Sequence, residues 1–498
     1  MIDKAHKGLT APQLMMMALG TVIGGSWFLG SSVALHAAGP SVIIAYIIGG
    51  ILVYFILFAL SEMTVANPDP GSFRTYAAQV FGPGTGFVVG WVYWMGMVLG
   101  MSSEATAASI LLRRWIPGIP VSWLGGVIIL GVTLLNLLGA NQLGRLESGL
   151  AAIKLLAVVS FIIIAFLLIL GVFPGVPGPA AGYLSREPFM PGGIGGIAGS
   201  LLIVMFAYAG FEIIGLAASE ADHPVKTVPR AIRYTVITLA GLYILSVAAI
   251  LLLIPTAEIT QNVSPMVAAL NKRGVSWAGT ALNIVLVTAI LSTMLAAMFG
   301  LGRMIRSLAD RHQAPEWLKD KGNVPRKGIL FSGISMLASL GFGLLFPSAY
   351  LFLISSGGFA TLFTYAVIIA THIRFRKKFG CPPSGKCQMP GYPYASWAVL
   401  FVMVAAIASM PLIPGQTPGM IAGILMVASF TFIYIGMKFL KRSGRVDKTG
   451  PDKLRGANQA GFSAEASEEL TRGADRENHG HPEDTENREG EKDPKDPE

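Results

Sequence analysis

Charge is scarce in this chain of 498 residues, with Asp, Glu, Lys and Arg together at 13%. Soluble globular proteins carry about 25%, so an ordinary water-facing surface is excluded. Cysteine is nearly absent, with only Cys381 and Cys387 in CPPSGKC. Two cysteines at that spacing could bind a metal or oxidise together. With no partner histidine and no second pair, they make no zinc site. A loop expected on the cytoplasmic side favours reduced thiols. Histidines are few: His36, His223, His312 and His372 are scattered near the ends of apolar segments, and His479 and His481 lie in a polar tail expected to be solvated. That pattern offers no nucleophile–base or metal constellation for a membrane enzyme. The absence of a GxxxxGK[ST] loop argues against a built-in ATPase. No basic patch with interleaved aromatics suggests a nucleic-acid partner. No signal-peptide cleavage pattern opens the chain, so the first apolar segment is expected to be retained.

Apolar residues are what it has in abundance, at 53%, with a mean hydropathy of +0.61. Runs such as LAVVSFIIIAFLLILGVF, residues 156–173, are long enough to cross a bilayer as helices. About twelve such segments are expected, near residues 14–36, 41–66, 85–112, 121–140, 148–172, 196–218, 231–254, 277–303, 328–346, 349–373, 395–412 and 417–439. If the N-terminus is cytoplasmic, the inner segments hold 23 Lys/Arg and the outer loops only 5. That bias sets the orientation, and an even number of spans puts both termini in the cytoplasm of a multi-pass cell-membrane protein. The net charge of +9 divides unevenly, since residues 446–498 hold 8 Lys/Arg against 15 Asp/Glu and so carry −7. The remaining +16 is mostly an orientation signal. The tail, 440–498, is acidic and poor in aromatics, a composition expected to be disordered.

The first span contains GTVIGGSWFLG, residues 20–30, with four glycines in eleven positions. Glycine costs about 1 kcal/mol against alanine inside a helix. One explanation is close helix packing through small residues. The other is a discontinuous helix whose freed amides and carbonyls hold a ligand, as in many secondary transporters. The second explanation predicts a matching break in the other half of the chain. The sixth span supplies it in FAYAGFEIIGLAASE, residues 206–220, with Gly210, Gly215 and the intramembrane acid Glu212. Gly24 and Gly210 are 186 residues apart, which suits two repeats of five spans. An odd number of spans per repeat inverts the second copy.

These residues resemble an amino acid permease of the amino acid–polyamine–organocation (APC) superfamily, in its bacterial amino acid transporter branch. The first-helix break of that family, of Ile-Gly-x-Gly type, corresponds to Ile23-Gly24-Gly25-Ser26, with serine where the second motif glycine is usual. The sixth-helix pattern corresponds to Phe206-Ala207-Tyr208-Ala209-Gly210-Phe211-Glu212. SEADHPVKTVPRAI (219–232) and GLGRMIRSLADRHQAPEWL (300–318) match the loops, and the likeness covers roughly residues 8–440. It implies an all-α membrane fold of the leucine-transporter type. After a cytoplasmic N-terminus, 1–13, come five-helix repeats over 14–172 and 196–373, then two extra helices over 395–439. It also implies a substrate site at the midplane, between the two breaks. Exposed amides suit a carboxylate and exposed carbonyls suit an ammonium. Gly24, Gly25 and Ser26 are therefore expected to meet the carboxylate of an amino acid. Phe206, Ala207 and Tyr208 are expected to meet its ammonium, beside Gly210. Trp27 and Phe211 are candidates for a gate.

Charges inside spans are functional candidates by default. Lys154 is expected to stand where a coupling sodium would lie, as proton-coupled members of the family carry a lysine at this position. The alternative is snorkelling to the cytoplasmic headgroups. Glu212 either fixes the broken helix or carries a proton. Glu104, in the third span, has three open roles: pairing in the core, accepting a proton, or meeting a cationic substrate. Glu62 reads as interfacial, and Trp91, Tyr93 and Trp94 as an interfacial aromatic belt. The resulting expectation is import of an amino acid, neutral rather than basic, by proton symport, with the proton as coupling ion and no cofactor. Amino acid exchange and transport of basic amino acids or polyamines are the alternatives. A channel lacks its filter sequence, and a nutrient sensor lacks a large soluble domain.

Overall fold

Apolar segments surrounded by lipid must close their backbone hydrogen bonds within themselves, which the α-helix does. The computed structural model describes residues 8–442 apart from 68, 70, 139, 174–186, 219–220, 261, 321–323 and 382–386. Nearly all of the expected tail, with His479 and His481, lies outside the described residues, as do residues 1–7. The described residues hold seventeen α-helices and no strand. An isolated bridge joins Leu9 to Ala221, where the Asp222 amide donates to the Leu9 carbonyl at 3.0 Å.

The first expected span is three pieces: α1 (Ala11–Val22), α2 (Gly25–Phe28) and α3 (Gly30–Ala38). Then follow α4 (Val42–Ala66), the short α5 (Ser72–Phe81), α6 (Pro83–Leu112), α7 (Val121–Asn136) and α8 (Ala140–Ile169). The sixth expected span is also divided, into α9 (Gly193–Ala207) and α10 (Ile213–Leu216). Beyond it run α11 (Pro224–Leu253), α12 (Pro265–Lys272), α13 (Ser276–Asp310), α14 (Arg326–Gly343), α15 (Ala349–Phe379), α16 (Tyr394–Ala408) and α17 (Thr417–Arg442). Among the described residues, seven stretches are long and apolar enough to cross a membrane, including Gly25–Ala66, Pro83–Leu112 and Ala349–Phe379. Four more helices, α1, α7, α9 and α16, are apolar but shorter. The chain is therefore a multi-pass, all-helical membrane protein. Its outward faces agree, because large apolar side chains such as Val127, Leu156, Ile237 and Phe401 are exposed, as lipid contact requires.

Residues Met1–Tyr434 make one compact unit, and Ile435–Glu498 a second whose described part is the end of α17. Within the first, α6 and α15 form the middle of the core. Gly96 and Gly100 of α6 lie against Gly357 and Ala360 of α15. A β-carbon added at Gly96 would stand 2.4 Å from that of Ala360, and one at Gly357 would stand 3.1 Å from the Gly100 amide. This small-residue seam lets two helix backbones approach, and it fixes the height at which α6 presents Glu104.

Two expectations change here. Glu62, near the end of α4, is buried rather than turned to headgroups or water, and closes a network between α4, α15 and the loop after α15. His372 Nε2 lies 2.7 Å from it, Arg376 donates at 2.8 and 2.9 Å, and the Gln388 and Met389 amides both donate at 2.6 Å. The cysteines, expected as free thiols, are paired in a Cys381–Cys387 disulfide just before those amides. Neither partnership is visible in sequence, because each depends on how the loop folds back.

Candidate functional site

Helix one breaks at Ile23 and Gly24. Ile23 turns extended, with its amide still donating to the Leu19 carbonyl at 3.2 Å, and Gly24 is fully extended. Two backbone groups that a continuous helix would consume are released on each side of the break. On the α1 side they are the carbonyls of Gly20 and Ile23. Lys154 of α8, wholly buried, donates its ammonium to Gly20 at 2.5 Å, to Ile23 at 3.2 Å and to the Thr293 hydroxyl at 3.1 Å. Thr293, on α13, passes its own proton to the Ile23 carbonyl at 2.8 Å. A cation here meets the negative end of the α1 dipole as well as three oxygens. Snorkelling does not describe this lysine.

On the other side the released groups are amides, and Glu104 takes them. Its Oε2 accepts from Gly25 N–H at 2.5 Å and its Oε1 from Ser26 N–H at 2.8 Å. The amides expected to meet a substrate carboxylate thus hold a carboxylate of the chain itself. Lys154 is close enough to attract it. The fit requires glycine, since a β-carbon at Gly25 would stand 2.7 Å from Glu104 Oε2 and one at Gly24 3.0 Å.

Helix six breaks over Tyr208–Glu212. Gly210 has φ +111°, a conformation L side chains rarely adopt. Its carbonyl accepts the Thr21 hydroxyl of α1 at 2.9 Å, which ties the two breaks together. Its amide donates to Glu212 Oε2 at 3.0 Å. Glu212 also accepts hydroxyls from Tyr93 of α6 at 3.0 Å and Tyr365 of α15 at 2.9 Å. Two of the three carbonyls expected to face an ammonium have partners in this arrangement: Ala207 accepts the Tyr243 hydroxyl at 3.0 Å, and Phe206 the Ala209 amide at 3.0 Å. Tyr208 turns its hydroxyl to the Tyr46 carbonyl at 3.2 Å.

A cleft joins these groups. Ser26, Glu104 and Thr293 line it together with Phe206, Gly210, Glu212 and Tyr93, and Ala296, Ala297 and Gly300 of α13 keep it open by being small. Among the described residues, no Lys or Arg side chain lines it. Trp27 is buried, its indole stacked on Tyr243 with ring centres 3.9 Å apart and set edge-on to Tyr46 at 5.2 Å. Phe211 is buried against Tyr365 at 4.9 Å. The structure therefore brings Lys154, Glu104 and the first break into one cluster, and Glu212 and the second break into another, with the cleft between.

Sequence reasoning overlooked Thr21, Thr293 and Tyr365. A threonine or tyrosine in an apolar helix carries no signal of its partner, and Thr293 meets Lys154 across 139 residues. Tyr93 is not merely part of a belt, because its hydroxyl reaches Glu212. Outside the spans, Asp69, just before α5, and Arg74 of α5 meet the end of α13 and the loop after it. Arg311 donates to Asp69 at 2.8 Å, and Arg74 donates to Gln313 at 2.7 Å and to the Ser307 hydroxyl at 2.9 Å. Burial, helped by nearby Arg311, lowers Arg74 to about 10, so it stays charged at neutral pH.

The family described as Amino acid permease matches residues 13–449. The uncharacterized amino acid permease YtnA of Bacillus subtilis is 32% identical over 455 residues, covering 89% of this chain and 97% of the relative. The gamma-aminobutyric acid permease of the same organism is 31% identical over 86% of this chain and 93% of its own. That of Escherichia coli is 32% identical over 82% and 89%. A family match over nearly the whole membrane part, together with relatives about 30% identical over most of their length, makes this a transporter family rather than an enzyme family: the chain belongs to the amino acid permease family.

Proposed function

We propose that the chain imports an amino acid across the cell membrane by proton symport. The substrate binds where the two breaks face each other, and access alternates between the two sides. The single observation that carries the reading is Lys154. Its ammonium occupies the oxygens of the first break, where a coupling cation would otherwise be needed, so cation binding there is built into the chain. A twelve-crossing architecture of two inverted five-helix repeats, 14–172 and 196–373, plus two further helices, with both termini cytoplasmic, agrees with the interrupted α1–α3 and α9–α10.

The substrate class is a neutral amino acid. The cleft's charged lining is limited to Glu104 and Glu212, and both carboxylates are held by hydrogen bonds within the chain. Relatives that carry the name gamma-aminobutyric acid permease support a zwitterion without a charged side chain. The test is uptake into proteoliposomes of labelled L-alanine, gamma-aminobutyric acid and L-arginine, with and without an inward proton gradient. Gradient-stimulated uptake of a neutral amino acid is expected. Uptake that ignores the gradient but requires an internal amino acid would replace symport by exchange.

A further inference from the structure

Glu104 stands where a substrate carboxylate would have to go. An amino acid brings a carboxylate into a cleft that has no Lys or Arg in its lining. The positive groups within reach are the Gly25 and Ser26 amides, with Lys154 on the opposite side of the break. Both amides are already taken by Glu104, which is only 2% exposed. Two carboxylates cannot share two N–H donors, and two buried negative charges at the same pair of amides repel each other in a site of low dielectric.

The geometry points to Glu104 as a built-in, displaceable occupant of the substrate's carboxylate site, one that leaves the amides by taking up the proton that is co-transported. This rests on the transport reading above. The balance is simple. Before binding, the Glu104 carboxylate and the Lys154 ammonium neutralise each other. Glu104 then gains one proton to become a neutral acid, a much weaker acceptor for amides than a carboxylate. The substrate carboxylate replaces it on Gly25 and Ser26, and its own ammonium travels with it. One proton enters with one zwitterion, and the charge around Lys154 is the same before and after.

Other titratable groups near Glu104 fit this role less well. Tyr243 of α11 and Tyr350 of α15 feel its charge but are phenols. Lys154 is engaged on three oxygens of the break itself. Glu212 accepts from Tyr93 and Tyr365 and from the Gly210 amide, and has no bond to the Gly25 and Ser26 amides. Glu104 alone joins a proton-accepting group to the amides and to the cleft.

The test uses the full chain purified in detergent, with whichever of labelled L-alanine, gamma-aminobutyric acid or L-arginine the wild type takes up. Binding is measured between pH 6 and pH 8 in weak buffer, with a pH dye to count protons. Wild type should take up about one proton per bound substrate, with affinity falling by about tenfold per pH unit where Glu104 is ionised. Glu104→Gln, a permanently neutral stand-in, should bind at least as tightly at pH 8, with no proton uptake and no pH dependence, and should exchange substrate without concentrating it. Glu104→Asp keeps the charge and should keep the proton uptake. Proton uptake that persists in Glu104→Gln overturns the proposal and leaves symport standing with its proton elsewhere. Loss of binding in Glu104→Gln but not in Glu104→Asp overturns it too, by making the carboxylate itself part of the substrate's site. If folded, monodisperse wild type binds none of the three, the transport reading fails and takes this one with it.

Discussion

Glu62 and Glu104 are both buried carboxylates on long helices, and they are held in opposite ways. Glu62 has five donors, including a guanidinium that grips both oxygens and the ring of His372. It is satisfied entirely by the end of α15 and the loop beyond, away from the cleft. Glu104 has two main-chain amides and the attraction of a lysine that is itself bound elsewhere, and it lines the cleft. A carboxylate gripped by a guanidinium, a ring nitrogen and two amides away from any opening is a strut. One that rests on neutral amides beside an opening can be exchanged for another anion. The contrast teaches that burial alone does not mark a functional charge; the identity of its donors does.

The sharpest way to break that contrast is to remove the cation. Lys154→Ala strands the Gly20 carbonyl, leaves the Ile23 carbonyl to the Thr293 hydroxyl alone, and leaves Glu104 without a counter-charge. Breaking a buried pair costs about 3–5 kcal/mol, so gradient-driven uptake in proteoliposomes should fall by about a hundredfold or more. Uptake near the wild-type level would mean that Glu104 is as self-sufficient as Glu62. The complementary loss is Glu62→Ala, which leaves Arg376 and His372 buried without their acid. Its effect belongs to stability. The thermal unfolding midpoint in detergent should drop in line with about 3 kcal/mol or more, while KM of the protein that survives stays at the wild-type value. A changed KM with an unchanged midpoint would reverse the roles assigned to the two acids.

Much of this arrangement was legible before any coordinates. Gly24, Gly25 and Gly210 marked both interruptions, because glycine is disfavoured inside helices and paired breaks have a meaning in membranes. Lys154, Glu104 and Glu212 stood out as charges in apolar runs. What those charges touch was not legible. Gly25 and Glu104 are 79 residues apart, and only the seating of α6 against α15 through Gly96, Gly100, Gly357 and Ala360 brings the acid level with the break. Thr293 and Tyr365 were invisible for a related reason: a hydroxyl in a span more often bonds to its own helix. Glu62 was misjudged because its partners lie on a later helix and on a loop whose backbone amides leave no trace in residue type.

The second acid facing the cleft sharpens the comparison at smaller amplitude. Glu212 sits between the extremes, with two tyrosine hydroxyls and one amide as donors. Tyr365→Phe removes one donor and keeps the ring stacked on Phe211. A hydrogen bond to a charged group contributes about 1.5 kcal/mol at the low end of its range, the end that applies where two other donors remain, so transport should fall by roughly tenfold, with Tyr93→Phe behaving alike in uptake measurements. An effect as large as that of Lys154→Ala would place Glu212, rather than Glu104, at the centre of coupling.

The smallest expected effect concerns the link between the two breaks. The Thr21 hydroxyl donates to the Gly210 carbonyl at 2.9 Å, yet it also lies within 2.9 and 3.2 Å of the Ala18 and Met17 carbonyls in its own helix. Valine has the same shape without the hydroxyl. Because α1 already satisfies the Ala18 and Met17 carbonyls in its ladder, only the Gly210 carbonyl loses a partner, and the cleft beside it can supply water. A net hydrogen bond contributes about 1 kcal/mol, so Thr21→Val should reduce the maximal uptake rate by a few-fold, with little change in the unfolding midpoint. If the two breaks move as one body during transport, KM and the maximal rate should fall or hold together. If the hydroxyl has to let go for one break to move against the other, the variant should be faster than wild type, and the tie at Thr21 would be a brake on the motion.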